Sequence, residues 1–353
     1  MNKSRTSVST FSIENAVRKS IQKMKPYSSA RDEFKEFETS MVFLDANENP
    51  FSNGYNRYPD PQQKQVKTIL AKKKNVNVNQ VLLGNGSDEV LDLLFRAFCE
   101  PNQDNIITLP PTYGMYGVLA DLNAIENREI LLNDAFEPDI DEILNAVSAN
   151  TKIIFLCSPN NPTGNSFSDE SVLKMIRNFD GLVVIDEAYV DFSAKESWLS
   201  ELDEFPNLVI TQTFSKAYGL AGLRVGVLYA SEEIISVLNK IKPPYNLNTA
   251  SQEIVLKKLS QHTLAAQVKK IVSERENVIN TLKPIHFVKQ IFPSDANFIL
   301  VKVDNAALRY NQLIEAGIVT RNRNHQPLCE NCIRITIGTK EENNKLITTL
   351  KSL

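Results

Sequence analysis

Four stretches concentrate side chains suited to chemistry, and each directly follows a short apolar run. Leu182–Ile185 leads into Asp186-Glu187-Ala188-Tyr189. A carboxylate at the end of a buried strand is costly unless paired, so Asp186 asks for a cationic partner. Leu208–Ile210 leads into Thr211-Gln212-Thr213-Phe214-Ser215-Lys216-Ala217-Tyr218-Gly219, with Arg224 close behind. A lysine among neighbouring cations has its pKa lowered, which suits Schiff-base chemistry; the plainer reading is a solvated loop charge. Lys152–Cys157 leads into Ser158-Pro159-Asn160-Asn161-Pro162-Thr163-Gly164, a loop stiffened by two prolines that can aim the Asn161 amide. Val81–Leu83 leads into Gly84-Asn85-Gly86-Ser87-Asp88-Glu89 and then a helical pattern. Its glycines permit a tight turn, and free N–H groups at a helix start attract an anion. The turn is neither GxGxxG nor a Walker A loop, so neither dinucleotides nor ATP are indicated.

Each stretch alone is an ordinary turn. Together they fit one ligand. A pyridinium nitrogen needs a carboxylate (Asp186), a ring hydroxyl needs donors (Asn161, Tyr189), and an aldehyde needs a lysine (Lys216). A phosphate needs a helix N-terminus, hydroxyls and an arginine. That set describes a pyridoxal-phosphate site.

The elements that must position these residues alternate along the chain. Apolar runs at Val81–Leu83, Ile106–Leu109, Glu129–Leu132, Lys152–Cys157, Leu182–Ile185, Leu208–Ile210 and Val225–Leu228 are separated by longer amphipathic stretches. The pattern predicts an α/β fold with a mostly parallel sheet covered on both faces. In such sheets ligands sit beyond the carboxyl ends of the strands, where the polar stretches lie. The loop Lys242-Pro243-Pro244-Tyr245-Asn246 marks a boundary. Beyond it a long helix over about 249–282 and strands near Asn297–Val303 and Ile333–Ile337 predict a smaller α+β domain. The expected division is an N-terminal arm or part of the small domain over 1–44, a large domain over 45–245, and a small C-terminal domain over 246–353.

Composition agrees with a globular protein. With 353 residues, about two domains are expected. Lys+Arg 39 against Asp+Glu 42 gives a net charge of −3, which argues against a strongly basic nucleic-acid footprint, though not against a local patch. No apolar run approaches a membrane span, and residues 1–21 lack the apolar core of a signal peptide, so a cytoplasmic location is expected. Cys329-x-x-Cys332 stands without a second CxxC, and Cys99 and Cys157 sit in apolar runs, so no metal is expected and the cysteines read as structural thiols. His262, His286 and His325 follow no strand end in the sheet region and read as surface, packing or loop residues.

Asn160–Gly164, Asp186–Tyr189 and Ser215-Lys216 followed by Arg224 resemble the fold-type I, aspartate-aminotransferase-like PLP-dependent enzymes. Asp45–Pro50, Arg57–Pro61, Leu83–Glu89, Pro111–Tyr116, Leu220–Arg224 and Arg334–Thr339 are similar to the histidinol-phosphate aminotransferase family. The resemblance spans about Tyr27 to Thr339. It implies a large domain with a mostly parallel seven-stranded sheet, a smaller α+β C-terminal domain, and a homodimer with shared active sites. It implies that L-histidinol phosphate and 2-oxoglutarate give imidazole acetol phosphate and L-glutamate, ping-pong through pyridoxamine phosphate, a step of histidine biosynthesis. Lys216 would carry the cofactor and move the substrate proton, Asp186 would pair with the ring nitrogen, and Asn161 and Tyr189 would bond the ring hydroxyl. Tyr113 would stack on the ring. The backbone of Ser87, Asp88 and Glu89, with Thr213, Ser215 and Arg224, would hold the phosphate, joined by Tyr58 of the partner subunit. Tyr27 and Asn47 would line the substrate pocket, and Arg321 and Arg334 would bind substrate anions, with Arg323 as a helper. The rival readings are an aromatic or branched-chain aminotransferase and a threonine-phosphate-type PLP decarboxylase. A transcription factor with an aminotransferase-like half would need a basic helix-turn-helix region, which the sequence does not offer.

Overall fold

The central strands carry continuous apolar runs through their middles because both faces are covered. In the computed structural model, which describes residues 11–27 and 41–353, seven strands form one sheet. They are β1 (Val81–Gly84), β2 (Asn105–Thr108), β3 (Glu126–Glu129), β4 (Thr151–Cys157), β5 (Leu182–Asp186), β6 (Leu208–Thr213) and β7 (Gly226–Ala230). Their order is β1-β7-β6-β5-β4-β2-β3. β3, β2, β4, β5 and β6 run parallel, while β7 is antiparallel to both β6 and β1. Alternate residues feed opposite cores. Ile154, Leu156, Val183, Ile185, Leu208 and Ile210 face one. Ile153, Phe155, Leu182, Val184 and Val209 face the other. The first core is closed by the helices Lys64–Lys74 and Asp169–Asn178, and the second by Ser87–Phe98 and Glu232–Ile241.

A second, wholly antiparallel sheet has four strands: β8 (Val288–Ile291), β9 (Phe298–Val303), β10 (Arg321–Asn322) and β11 (Cys332–Thr336), in the order β10-β11-β9-β8. Ile299, Val301, Ile333 and Ile335 pack against the helices Leu264–Leu282, Ala306–Glu315 and Lys340–Ser352. The alternate residues on β9 turn toward the large unit. Phe298 joins Tyr189 in a small apolar cluster, and Leu300 joins the first core. Arg334, opposite Leu300 in register, therefore lies on the face turned toward the large unit.

Two expectations need correction. The third strand is Glu126–Glu129, not Glu129–Leu132. It is an edge strand with exposed and half-buried residues, so it lacks the apolar signature of the central strands. Ile130 and Leu132 continue beside Thr108 and Pro110 through single N–H to carbonyl bonds, and prolines at 110 and 111 cannot return them. The long helix expected over 249–282 is two helices, Thr249–Leu259 and Leu264–Leu282, separated by polar Ser260-Gln261-His262-Thr263. Within 1–44, residues 11–23 pack against the large unit. Val17 is buried in the second core, and the Arg18 N–H donates to the Ala97 carbonyl at 3.0 Å. Residues 1–10 and 28–40 of that segment lie outside the described residues. From the segment 246–353, Leu247, Val255 and Leu259 are buried in the first core of the large unit. No helix among the described residues is long and apolar enough to cross a membrane.

Candidate active site

β5 lies between β4 and β6, so the polar stretches after these three strands meet beyond the middle of the sheet. Asp186 ends β5 and is only 3% exposed. Its carboxylate accepts the Tyr116 hydroxyl at 2.8 Å and the Ala188 N–H at 3.2 Å. No salt bridge reaches it among the described residues, and burial pushes its carboxyl above the usual range. The neighbouring Glu187 is equally buried but fully engaged. It accepts from the Ser197 hydroxyl at 2.5 Å, the Trp198 N–H at 2.7 Å and the Gln212 amide at 2.8 Å. Glu187 is a strut, whereas Asp186 remains open to a cationic partner.

Lys216 follows β6 and is exposed. Its amine lies 5.6 Å from the centre of the Tyr189 ring. Partial desolvation, and then the charge of Arg334, hold its pKa below the ordinary lysine value. Tyr189 packs edge-on against Phe298, with ring centres 5.1 Å apart. Asn161, buried after β4, accepts from the Arg334 guanidinium through its amide oxygen. Arg334 also lies over the Phe298 ring, 5.2 Å from its centre. Asn160 supports this loop, because its amide donates to the Pro111 carbonyl and the Thr163 hydroxyl, each at 2.8 Å.

At the other end of the cleft, Gly84, Gly226 and Thr213 lie in register across β1, β7 and β6. A side chain on Gly226 would meet the Ser87 nitrogen at 2.3 Å, so glycine lets the Ser87–Phe98 helix begin against the sheet. Gly86 precedes that helix at φ +87° and sits under the Arg224 guanidinium, which a side chain would meet at 2.6 Å. The helix start exposes the N–H groups of Ser87, Asp88 and Glu89. The Glu89 side chain braces the turn by accepting from the Asn85 N–H at 2.5 Å and the Asn246 amide at 2.8 Å. The Thr213 hydroxyl accepts from the Ser215 N–H at 3.1 Å. Asp88 links the Tyr113 hydroxyl, at 3.0 Å, to Arg224, at 3.3 Å. A phosphate fits this cradle of N–H groups, hydroxyls and guanidinium, and Asp186 fits a protonated ring nitrogen. The donor set therefore suits pyridoxal phosphate on chemical grounds.

Arg321 and Arg334 stand directly opposite each other on β10 and β11. Arg321 is exposed, whereas Arg323 is half-buried. Three expected residues are not drawn into the cleft within one chain. Tyr58 is 51% exposed and stacks on Tyr245 at 4.4 Å. It shares a groove of about 360 Å³ with Asn47 and Arg57. Tyr27 is 74% exposed. A larger cavity, about 620 Å³, lies between the helices Lys64–Lys74 and Glu232–Ile241 and holds none of these residues, so side-chain chemistry rather than volume locates the site. All four cysteines are buried free thiols.

Tyr116 was not singled out by the sequence. It reads as a packing aromatic, and it does stack on Phe155 at 4.7 Å, but its hydroxyl also holds Asp186. Only its place in Pro111-Thr112-Tyr113-Gly114-Met115-Tyr116, after a strand end, pointed that way.

The family Aminotransferase class I and II matches residues 32–350. A histidinol-phosphate aminotransferase of Flavobacterium psychrophilum is 67% identical over 346 residues, covering 98% of this chain and all of that protein. The fold is similar to the histidinol-phosphate aminotransferase of Sinorhizobium meliloti in complex with pyridoxal-5'-phosphate, with TM-score 0.77 and 24% identity over 84% of this chain and 82% of that one. It is also similar to the L-threonine-O-3-phosphate decarboxylase of Porphyromonas gingivalis, with TM-score 0.71 and 24% identity over 84% of this chain and 92% of that one. At such identities these structures speak for the fold alone, which does not separate one reaction from another. On the family match and the full-length identity, the chain belongs to the class I and II aminotransferases and, within them, to the histidinol-phosphate aminotransferase family.

Proposed function

We propose that the protein transfers the amino group of L-histidinol phosphate to 2-oxoglutarate, giving imidazole acetol phosphate and L-glutamate, with pyridoxal phosphate as cofactor. Pyridoxal phosphate, when bound, draws electron density from the substrate α-carbon and carries the amino group between the two substrates. Lys216 holds the cofactor aldehyde. Its amine, once free, moves the proton at the substrate α-carbon. Its lowered pKa favours the neutral, proton-accepting form. Asp186 keeps the ring nitrogen protonated, with Tyr116 fixing the carboxylate. Asn161 and Tyr189 donate to the ring hydroxyl, and Tyr113 stacks on the ring. The N–H groups of Ser87, Asp88 and Glu89, with Thr213, Ser215 and Arg224, hold the phosphate. We also infer a cytoplasmic homodimer in which Tyr58 reaches the partner's cofactor phosphate and Asn47 and Tyr27 border the substrate pocket. The exposure of Tyr58 and its groove shared with Asn47 support that reading.

The observation that carries the substrate assignment is the facing pair Arg321 and Arg334, which no carboxylate among the described residues neutralises. Guanidinium forks suit a phosphate in one half-reaction and a carboxylate in the other. The test is product analysis with purified protein. Histidinol phosphate should be consumed only when 2-oxoglutarate is present, with one glutamate formed per molecule consumed. Carbon dioxide released from threonine phosphate without an oxo-acid, or a preference for tyrosine or leucine, would contradict the assignment.

A further inference from the structure

Arg323 lies just past β10, and its N–H donates to the Cys332 carbonyl on β11 at 2.9 Å. Two residues on from Arg321, it lies on the same side of the extended chain, the side that carries Arg334. The Arg323 Nε is fully buried and finds no hydrogen-bond acceptor among the described residues. A buried donor without a partner is expensive, and here Arg321 and Arg334 add like charge. Desolvation first, and those two cations next, lower its pKa to about 10. The nearby thiols of Cys329 and Cys332 are held protonated by burial and supply no negative charge. No carboxylate among the described residues pairs with Arg323, and its Nε is left with a donor for an anion brought from outside.

We propose that Arg323 is a third anion anchor of the substrate pocket, forming with Arg321 and Arg334 a tricationic wall matched to a phosphate dianion rather than to a single carboxylate. This rests on the function proposed above. A phosphate monoester carries a charge approaching −2 at neutral pH, whereas each carboxylate of glutamate carries −1. Arg321 and Arg334 suffice for a carboxylate. The second charge of the phosphate falls to Arg323, whose donor is already desolvated and therefore pre-organised.

The test compares wild type, Arg323→Gln and Arg323→Lys holoenzymes in single-turnover reactions with histidinol phosphate, histidinol and glutamate. Arg323→Gln should lower kcat/KM for histidinol phosphate by roughly 10-fold or more, with histidinol and glutamate nearly unchanged. Arg323→Lys, which keeps charge without the fork, should recover part of the loss. An equal loss with all three donors would mean a structural role and overturn the proposal. So would full activity of Arg323→Gln with histidinol phosphate. Inorganic phosphate, tested as a competitor of whichever amino donor wild type prefers, separates the two levels of inference. Its inhibition constant should rise about 10-fold in Arg323→Gln, and an unchanged constant would overturn the role of Arg323. A wild type that ignores histidinol phosphate would instead refute the proposed function.

Discussion

The two walls of the cleft carry uncompensated charge of opposite sign. On one wall Asp186 is a buried carboxylate without a cation, set in the middle of a seven-stranded sheet. On the other, Arg321, Arg323 and Arg334 are cations without a carboxylate among the described residues, carried on the short edge strand β10 and its neighbour. Glu187 shows what a merely structural buried carboxylate looks like, since three donors enclose it. Where the chain satisfies its own charge, the residue holds the fold. Where it does not, a ligand is expected to complete it. The walls also differ in setting: Asp186 ends a central strand of the seven-stranded sheet, whereas Arg321 starts a two-residue edge strand.

Breaking the cofactor wall should have the largest effects. Lys216→Ala should abolish steady-state turnover yet retain cofactor through the phosphate cradle. In the wild type, borohydride should fix the cofactor on the peptide containing Lys216, and finding it on Lys240 or another lysine would refute the assignment. Asp186→Asn keeps the shape but removes the charge. Loss of one partner of a buried ion pair costs about 3–5 kcal/mol, or roughly 10²- to 10⁴-fold in kcat. Near wild-type turnover would end the ring-nitrogen role.

The same substitution sharpens the contrast with Glu187. Burial raises the folded-state pKa of Asp186 above its unfolded value. Its favourable contribution to stability is therefore present while it is protonated and is lost as pH rises through the folded pKa. In cofactor-free protein, Asp186→Asn should leave Tm nearly unchanged at acid pH and raise it increasingly above the ordinary carboxylate range near ~4. Burial raises the Glu187 carboxyl too, so the contrast lies in the hydrogen bonds: Glu187→Gln should lower Tm, because its network is complete and an amide cannot accept all three donors. A Tm that falls for Asp186→Asn at neutral pH would show that the carboxylate is not under electrostatic strain.

The smallest effect concerns Tyr58. Tyr58→Phe removes one hydrogen bond to a charged group, about 1.5–3 kcal/mol, or roughly 10- to 200-fold. Mixing Lys216→Ala chains with Tyr58→Phe chains should form heterodimers with one doubly defective site and one intact site. No recovered activity in such heterodimers would rule out the partner role.

Residues whose chemistry conflicts with their position were legible in the sequence. A carboxylate ending an apolar run, as at Asp186, stands out because burial and charge oppose each other, and a lysine in a hydroxyl-rich strand-end loop, as at Lys216, stands out by the hydroxyls and the arginine beside it. The central strands were legible because both faces are covered. β3 was not, because an edge strand needs no apolar run. Nor was the break at 260–263, since helical periodicity persists on either side of it. Tyr116 is invisible as a hydrogen-bond donor in sequence because an aromatic there packs equally well without its hydroxyl. The difference between Arg321 and Arg323 depends on burial at a turn, which spacing does not encode.

The most direct test of a cleft with an arginine wall is the ratio of kcat/KM for histidinol phosphate to that for histidinol. Arg321 is exposed in the free chain; a guanidinium desolvated by bound substrate and left unpaired costs about 2–5 kcal/mol, so the ratio should be roughly 30 to 4,000. Arg321→Ala should erase most of that gap, because a missing fork no longer penalises a missing phosphate. A ratio near one in the wild type, or a gap that survives Arg321→Ala intact, would contradict the account.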